Sequence, residues 1–167
     1  MKAILAGLFS CAVLSIPSFG QAGEAATGDQ AFVDMAAQID MTEAHLGQLA
    51  AEQADAQGVK DYAQMLVTDH TADYKTLAAA ATKAGLTVPK GLDAKHEKMI
   101  APFEKLKGKA FDRKYIQTMV AGHTAAIAAF TKESKDGTNA DIKAYATDTL
   151  PTLEKHRDGA KALATAK

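Results

Sequence analysis

The sequence predicts an all-α protein whose four long helices pair as two antiparallel hairpins. Three observations carry this. The chain after residue 22 is rich in Ala, Lys, Gln, Leu and Met, with no Trp and few β-branched runs, a composition that favours helix over strand. Apolar residues recur at three- and four-residue steps in four separate stretches. Glycines at 58, 85, 108 and 137 punctuate those stretches where helices should stop.

The chain opens with the pattern of a cleaved secretion signal. Lys2 supplies a positive start, Ala3 to Ile16 is almost wholly apolar, and Gly20-Gln21-Ala22 places small residues at a cleavage site. Residues 1–22 are thus expected to be removed, leaving 23–167 as one domain, exported to the periplasm or beyond the cell. Leu8-Phe9-Ser10-Cys11 is a poor lipoprotein signal, because Ala12-Val13-Leu14 continues the apolar run past the cysteine. Cys11 is the single cysteine, so the mature chain would carry no disulfide and no thiolate ligand. The formal net charge is −1, the charges are interspersed and no basic face stands out, which argues against nucleic acid as a partner. No later segment approaches the ~18 uninterrupted apolar residues of a membrane span.

The first long helix is signalled by Thr27-Gly28-Asp29-Gln30, a capping-box pattern, and carries Phe32, Ala36, Ile39, Glu43, Leu46, Ala50 and Gln53 on one stripe. Gly58 is expected to end it. The second presents Val59, Tyr62, Leu66, His70, Asp73, Leu77 and Ala80, with Gly85 and Pro89 as its stop. Leu92 to Leu106 reads as a short helical stretch interrupted by Pro102 and closed by Gly108. The third long helix shows Phe111 or Asp112, Ile116, Met119, His123, Ile127 and Phe130, and Gly137 stops it. The last, capped by Thr138-Asn139, carries Ile142, Ala146, Thr149, Leu153, His156 and Ala160; Pro151 inside it should kink it near Thr147. Tight turns near Gly58 and Gly137 make two hairpins. The roughly two dozen residues between them are too many for a simple turn. Hairpins joined by such a crossover form the ferritin-like version of the four-helix bundle; an up-down-up-down bundle would need a shorter middle connection.

Five polar residues interrupt these apolar stripes: Glu43, His70, Asp73, His123 and His156. Burying one such group without a partner costs roughly 2–7 kcal/mol, so five are tolerable only if they meet. Glu43 and Asp73 each lie about fifteen residues from Gly58 and so at one level, with His70 about one turn away. His123 is about fourteen residues before Gly137, whereas His156 is displaced by about five residues, ~7 Å, and is the weakest member. Gly47 and Gly122 stand beside this layer, where close helix approach or room for imidazoles would account for them. Imidazoles and carboxylates collected in a bundle are either a metal site or a closed hydrogen-bond network. As a metal site this donor set suits Zn, Cu, Ni or Fe. His45 and His96 fall off the stripes and are expected in solvent.

Met41-Thr42-Glu43-Ala44-His45-Leu46-Gly47-Gln48-Leu49-Ala50, Met65-Leu66-Val67-Thr68-Asp69-His70, Phe111-Asp112-Arg113-Lys114-Tyr115 with His123, and Thr149-Leu150-Pro151-Thr152-Leu153 with His156 occur in order along the chain. This pattern resembles the exported bacterial domain-of-unknown-function family four-one-four-two, whose members are often labelled outer membrane proteins. The resemblance implies a ferritin-like fold and places Glu43, Asp69, His70, His123, Pro151 and His156 on the family's motif. The outer-membrane label finds no support in alternating ~10-residue strands. The di-iron ferritin-like enzymes use Glu-x-x-His pairs, and this chain contains none. The sequence therefore reads first as an exported bundle that binds a metal in metal handling or envelope stress. A structural or interaction protein whose polar layer fixes helix packing is the alternative. A metal-dependent redox or hydrolytic enzyme is third.

Overall fold

The computed structural model describes residues 25–165. The expected signal peptide, its cleavage site after Ala22 and Cys11 lie outside the described residues. The described chain is α1 (Ala25–Gln53), α2 (Gln57–Ala84), a short α3 (Ala94–Ile100) followed by a single 3-10 turn at Phe103–Lys105, α4 (Gly108–Asp136) and α5 (Ala140–Thr165). The described residues contain no strand.

Contacts at the two ends of the bundle fix the topology. Gln30, near the start of α1, donates to the Thr87 carbonyl at 2.8 Å, so α2 returns to that end. Gln38 then brackets the crossover, donating to the Gly91 carbonyl at 2.9 Å and accepting from the Asp93 amide at 2.9 Å. The crossover runs down α1 to the opposite end, where Asp112 accepts from the Asp55 and Ala56 amides at 3.0 and 2.9 Å. From there α4 runs back, and Asp29 of α1 meets the α4–α5 turn. It accepts from the Thr138 amide, the Thr138 hydroxyl and the Asn139 amide at 3.0, 2.6 and 2.9 Å. Two antiparallel hairpins joined by a full-length crossover is the expected ferritin-like arrangement. The main faces pair α1 with α2, α4 with α5, α2 with α5 and α1 with α4.

Several expected boundaries held and others moved. Gly85 ends α2 in the left-handed conformation (φ 71°), with the Leu86 amide bonded to the Ala81 carbonyl at 2.8 Å and the Gly85 amide to the Thr82 carbonyl at 3.2 Å. Pro102 separates α3 from the 3-10 turn as expected. The capping box does not start α1, which is already helical at Ala25; Asp29 is instead spent on the far hairpin's turn. Gly58 lies inside α2 rather than at the end of α1. The turn is three residues earlier, between Gln53 and Gln57, because Asp112 captures the two free amides there. A Cβ at Gly58 would stand 3.2 Å from Leu163 of α5, so its small size serves helix packing. α5 continues as one helix through Pro151.

Beside Asp29 sits Glu133. Burial, then a hydrogen bond and charge from Asp29, push the Glu133 carboxyl up to about 7. The protonated acid is therefore favoured by folding. That stability is fully present below the ordinary carboxylate range near 4.5 and is lost as pH rises through about 7. Glu133→Gln should remove this loss, raising Tm relative to wild type at pH 8 but not at pH 4.5. Melting curves of the two proteins that stay parallel from pH 4.5 to 8 would refute the pairing.

The core is divided into two apolar clusters. One, toward the α1–α2 turn, contains Leu46, Leu66, Met119 and Ala160; the other contains Ala37, Leu77, Ala126 and Leu153. On each long helix the polar residue of interest falls between a member of one cluster and a member of the other, so the polar layer crosses the bundle between them.

Candidate metal centre

Each long helix contributes to the layer. Glu43 (α1), His70 (α2), His123 (α4) and His156 (α5) are 5%, 2%, 0% and 1% exposed. The three imidazoles form a tight triangle, with ring centroids 5.7 Å (70–123), 5.3 Å (70–156) and 5.2 Å (123–156) apart. One nitrogen from each lies within 4.8 Å of one from each of the others. Glu43 Oε2 lies 3.0 Å from His70 Nε2 and 3.3 Å from His123 Nε2.

Each ring is held from outside by one nitrogen. His70 Nδ1 is 2.8 Å from Asp40 Oδ1, His123 Nδ1 is 2.9 Å from the Met119 carbonyl, and His156 Nε2 is 2.9 Å from Asp69 Oδ2. In a neutral imidazole an acceptor on one ring nitrogen makes that nitrogen the N–H and leaves the other a lone pair, a state that His70 reaches only on losing its second proton. The inner nitrogens, His70 Nε2 and His123 Nε2, and His156 Nδ1 as well, are buried and form no well-aligned hydrogen bond, nor does Glu43 Oε2, whose only neighbours among them are the two Nε2 atoms. Buried polar atoms are rarely left so, and here four of them gather in one layer. Two donors bound at ~2.0–2.2 Å to one ion stand roughly 3 Å apart, the spacing of Glu43 Oε2 from His70 and His123. The donor set therefore fits an ion with three nitrogen donors and one oxygen donor by type, with the imidazole nitrogens, within 4.8 Å of one another, drawing in as it binds.

The electrostatics divide the rings. Burial lowers His156 to about 4 against the pull of Asp69, and His70 and His123 add to the depression. Burial likewise lowers His123, with Glu43 opposing. Both are neutral at pH 7 and ready to ligate. His70 is the exception: burial opposes its charge, but Glu43 and Asp40 outweigh it and raise it to about 10. Burial pushes Asp40 up to about 7, whereas in Glu43 the neighbouring imidazoles outweigh burial and hold it below its usual range. Glu43 is therefore the carboxylate that carries the inner negative charge at neutral pH, and without a metal its counter-charge is the His70 imidazolium.

Of the five residues expected to meet, the structure brings Glu43, His70, His123 and His156 together and leaves Asp73 outside. Asp73 accepts from the Tyr145 hydroxyl at 2.6 Å and the Thr149 hydroxyl at 3.3 Å, tying α2 to α5 beside the cluster. The cause is the position of the first turn. Centred on Asp55, it puts Glu43 about three residues, ~4.5 Å, from the level of His70 and about six, ~9 Å, from that of Asp73. The second turn also lies later than Gly137, between Asp136 and Ala140, which brings His156 nearer the level of His123. His156 is a full member of the triangle. Asp40 was missed because α1 buries two adjacent stripes, the second running Val33, Ala37, Asp40. Its spacing of three from Glu43 was the available signal. Asp69 stood out only through the family motif. His45 is exposed as expected, but His96 is half-buried, its Nδ1 2.6 Å from the capping carboxylate of Asp93.

The site is thus a layer of three supported imidazoles and a carboxylate set between the two apolar clusters of a four-helix bundle. The chain itself belongs to the family described as Domain of unknown function (DUF4142), whose sequence profile matches residues 15–163. Among solved structures it is similar to a DUF305 fragment from Deinococcus radiodurans, with TM-score 0.70 and 14% identity over 82% of this chain and 95% of that one. It is also similar to CopM in a Cu(II)-bound form (TM-score 0.67, 17% identity, 81% of this chain and 95% of that). CopM in an Ag-bound form matches with TM-score 0.63 and 16% identity over 80% and 93% of the two chains. At such identities the likeness is one of fold. A search of curated proteins by sequence finds no match. No described helix is long and apolar enough to cross a membrane.

Proposed function

We propose that this protein is an exported metal-binding bundle that holds one divalent transition-metal ion through His70, His123, His156 and Glu43, and serves metal handling outside the cytoplasm. The observation that carries this is the convergence of four buried donor residues from four helices, whose inner atoms meet only one another, with each imidazole supported from behind. Export rests on the sequence of residues 1–22. Four protein donors suit holding an ion rather than reacting at it, since catalytic metal sites keep a position open. Nitrogen and oxygen donors without sulfur favour Cu(II), Zn(II), Ni(II) or Fe(II) over softer monovalent ions. The Cu(II)-bound structural neighbour makes copper the first to test.

Before ligation His70 must lose the proton it shares with its carboxylates. Affinity should therefore rise about tenfold per pH unit from pH 7 toward 9, with one proton released per ion bound. Calorimetric titration in buffers of different ionisation enthalpy reads that proton directly, and a pH-independent affinity would contradict His70 as a ligand.

The competing account is a metal-free polar network that sets helix register. It is favoured by His70 lying between Asp40 and Glu43. Thermal melts separate the two. With chelator removed and Zn, Cu, Ni or Fe added at about 100 times Kd, the wild type should gain about 2.7 kcal/mol of stability. His123→Ala should lack that gain. No metal-dependent shift for any of the four ions in wild type would overturn metal handling and leave the network.

A further inference from the structure

The donors are buried, so an ion needs a way in. A cleft of about 470 Å³ opens between α2 and α5 and is lined by Asp69, Asp73, Asp148, Tyr145, His70 and His156, among others. It reaches two of the four donor residues. The two other clefts described reach none of them. Three carboxylates face a single lysine, Lys155, along its walls. Asp69 spans the boundary: its side chain is 33% exposed, yet its Oδ2 holds the buried His156 ring at 2.9 Å. Two imidazoles of the site, His70 and His156, line the cleft although they are 2% and 1% exposed, and His156 Nδ1 is buried with no hydrogen-bond partner.

We infer that the α2–α5 cleft is the cation port of the metal centre, in which Asp69, Asp73 and Asp148 gather a divalent cation and pass it to His70 and His156. This rests on the metal-binding reading above. The carboxylates act at a distance through their field, which raises the local concentration of a cation in a walled cleft. The last handover falls to His70 and His156, the two donor residues that line the cleft. Asp148 makes no contact with the imidazoles, so its charge should affect the rate of loading and not the affinity.

The test is the rate of Cu(II) loading by the full chain, followed by quenching of its tyrosine fluorescence, together with the rate of Cu(II) removal by excess chelator. Ala72 and Thr152 line the cleft and are exposed, so Ala72→Phe and Thr152→Phe can narrow it without entering the core. Each should slow loading and removal by the same factor, roughly tenfold, leaving Kd unchanged, as expected for a gate. Asp148→Asn should slow loading roughly two- to fivefold at low ionic strength, with the difference vanishing in high salt. Ala121→Phe, in a cleft on the outer face of α4, is the control and should change nothing. Wild type that binds Cu(II) at equilibrium, with loading rates that the three cleft variants leave unaltered, or that Ala121→Phe slows as much as they do, would overturn the port alone. Wild type that binds no Cu(II) at equilibrium would overturn the metal reading and the port with it.

Discussion

Replacing His70 with alanine is expected to cost the metal-free protein on the order of 3–5 kcal/mol of stability. His70 is the counter-charge of two buried carboxylates, Asp40 at 2.8 Å and Glu43 at 3.0 Å. Removing it strands both in an interior where ionised groups are costly and an unmet acceptor forfeits its hydration. The loss should be largely recovered when Asp40 and Glu43 are also made leucine, because the penalty belongs to the uncompensated charges and not to the missing ring. Urea unfolding of the three proteins in chelator measures this; a His70→Ala loss below about 1 kcal/mol would contradict a charge-paired layer. The same coupling has a pH signature. His70 is raised by its partners, so its contribution is fully present below the ordinary histidine value near 6.5 and is lost as pH rises through about 10. Metal-free wild type should therefore weaken across that window, and His70→Ala should not.

Gly47→Ala should destabilise the α1–α2 hairpin by roughly 1–3 kcal/mol. A Cβ at Gly47 would lie 2.6 Å from Val67 Cγ2 and 2.9 Å from the Ala63 carbonyl oxygen. The side chain could rotate away, but the carbonyl belongs to the α2 backbone, so the two helices must separate. Four residues from Glu43, that separation also loosens the donor triangle, and metal affinity should fall with stability. Gly122→Ala is the contrasting case. Its Cβ would meet Glu43 Oε1 at 3.5 Å, an ordinary contact. The variant should gain up to about 1 kcal/mol of helix propensity. Equal melting temperatures for the two variants would show that the α1–α2 approach does not depend on Gly47.

The fold was legible because helix periodicity and linker length are local signals. Gly85, Pro102 and the long middle connection were enough to give two hairpins and a crossover. Turn positions were less legible, since Asp112 and Asp29 set them from more than fifty residues away. The three-residue shift of the first turn moved Asp73 away from the level of Glu43, and the smaller shift of the second brought His156 nearer that of His123, because depth in a bundle is counted from the turns. Glu43, His70 and His123 survived it, being polar residues on otherwise apolar stripes. Asp40 did not declare itself, for α1 packs against α2, α4 and the crossover and buries a wider face than one stripe describes. The supporting shell of Asp40, Asp69 and the Met119 carbonyl is a tertiary property, and a backbone carbonyl leaves no trace in a sequence.

The most direct test of the metal centre is anomalous diffraction from crystals of the protein grown with Cu(II) and, separately, Zn(II). The account predicts one strong internal peak at about 2.0–2.2 Å from His70 Nε2, His123 Nε2, His156 Nδ1 and a Glu43 oxygen. It also predicts that Asp40, the Met119 carbonyl and Asp69 still hold the outer nitrogens. Peaks confined to surface residues such as His45, with the inner layer unchanged and His70 still bridging Asp40 and Glu43, would contradict it.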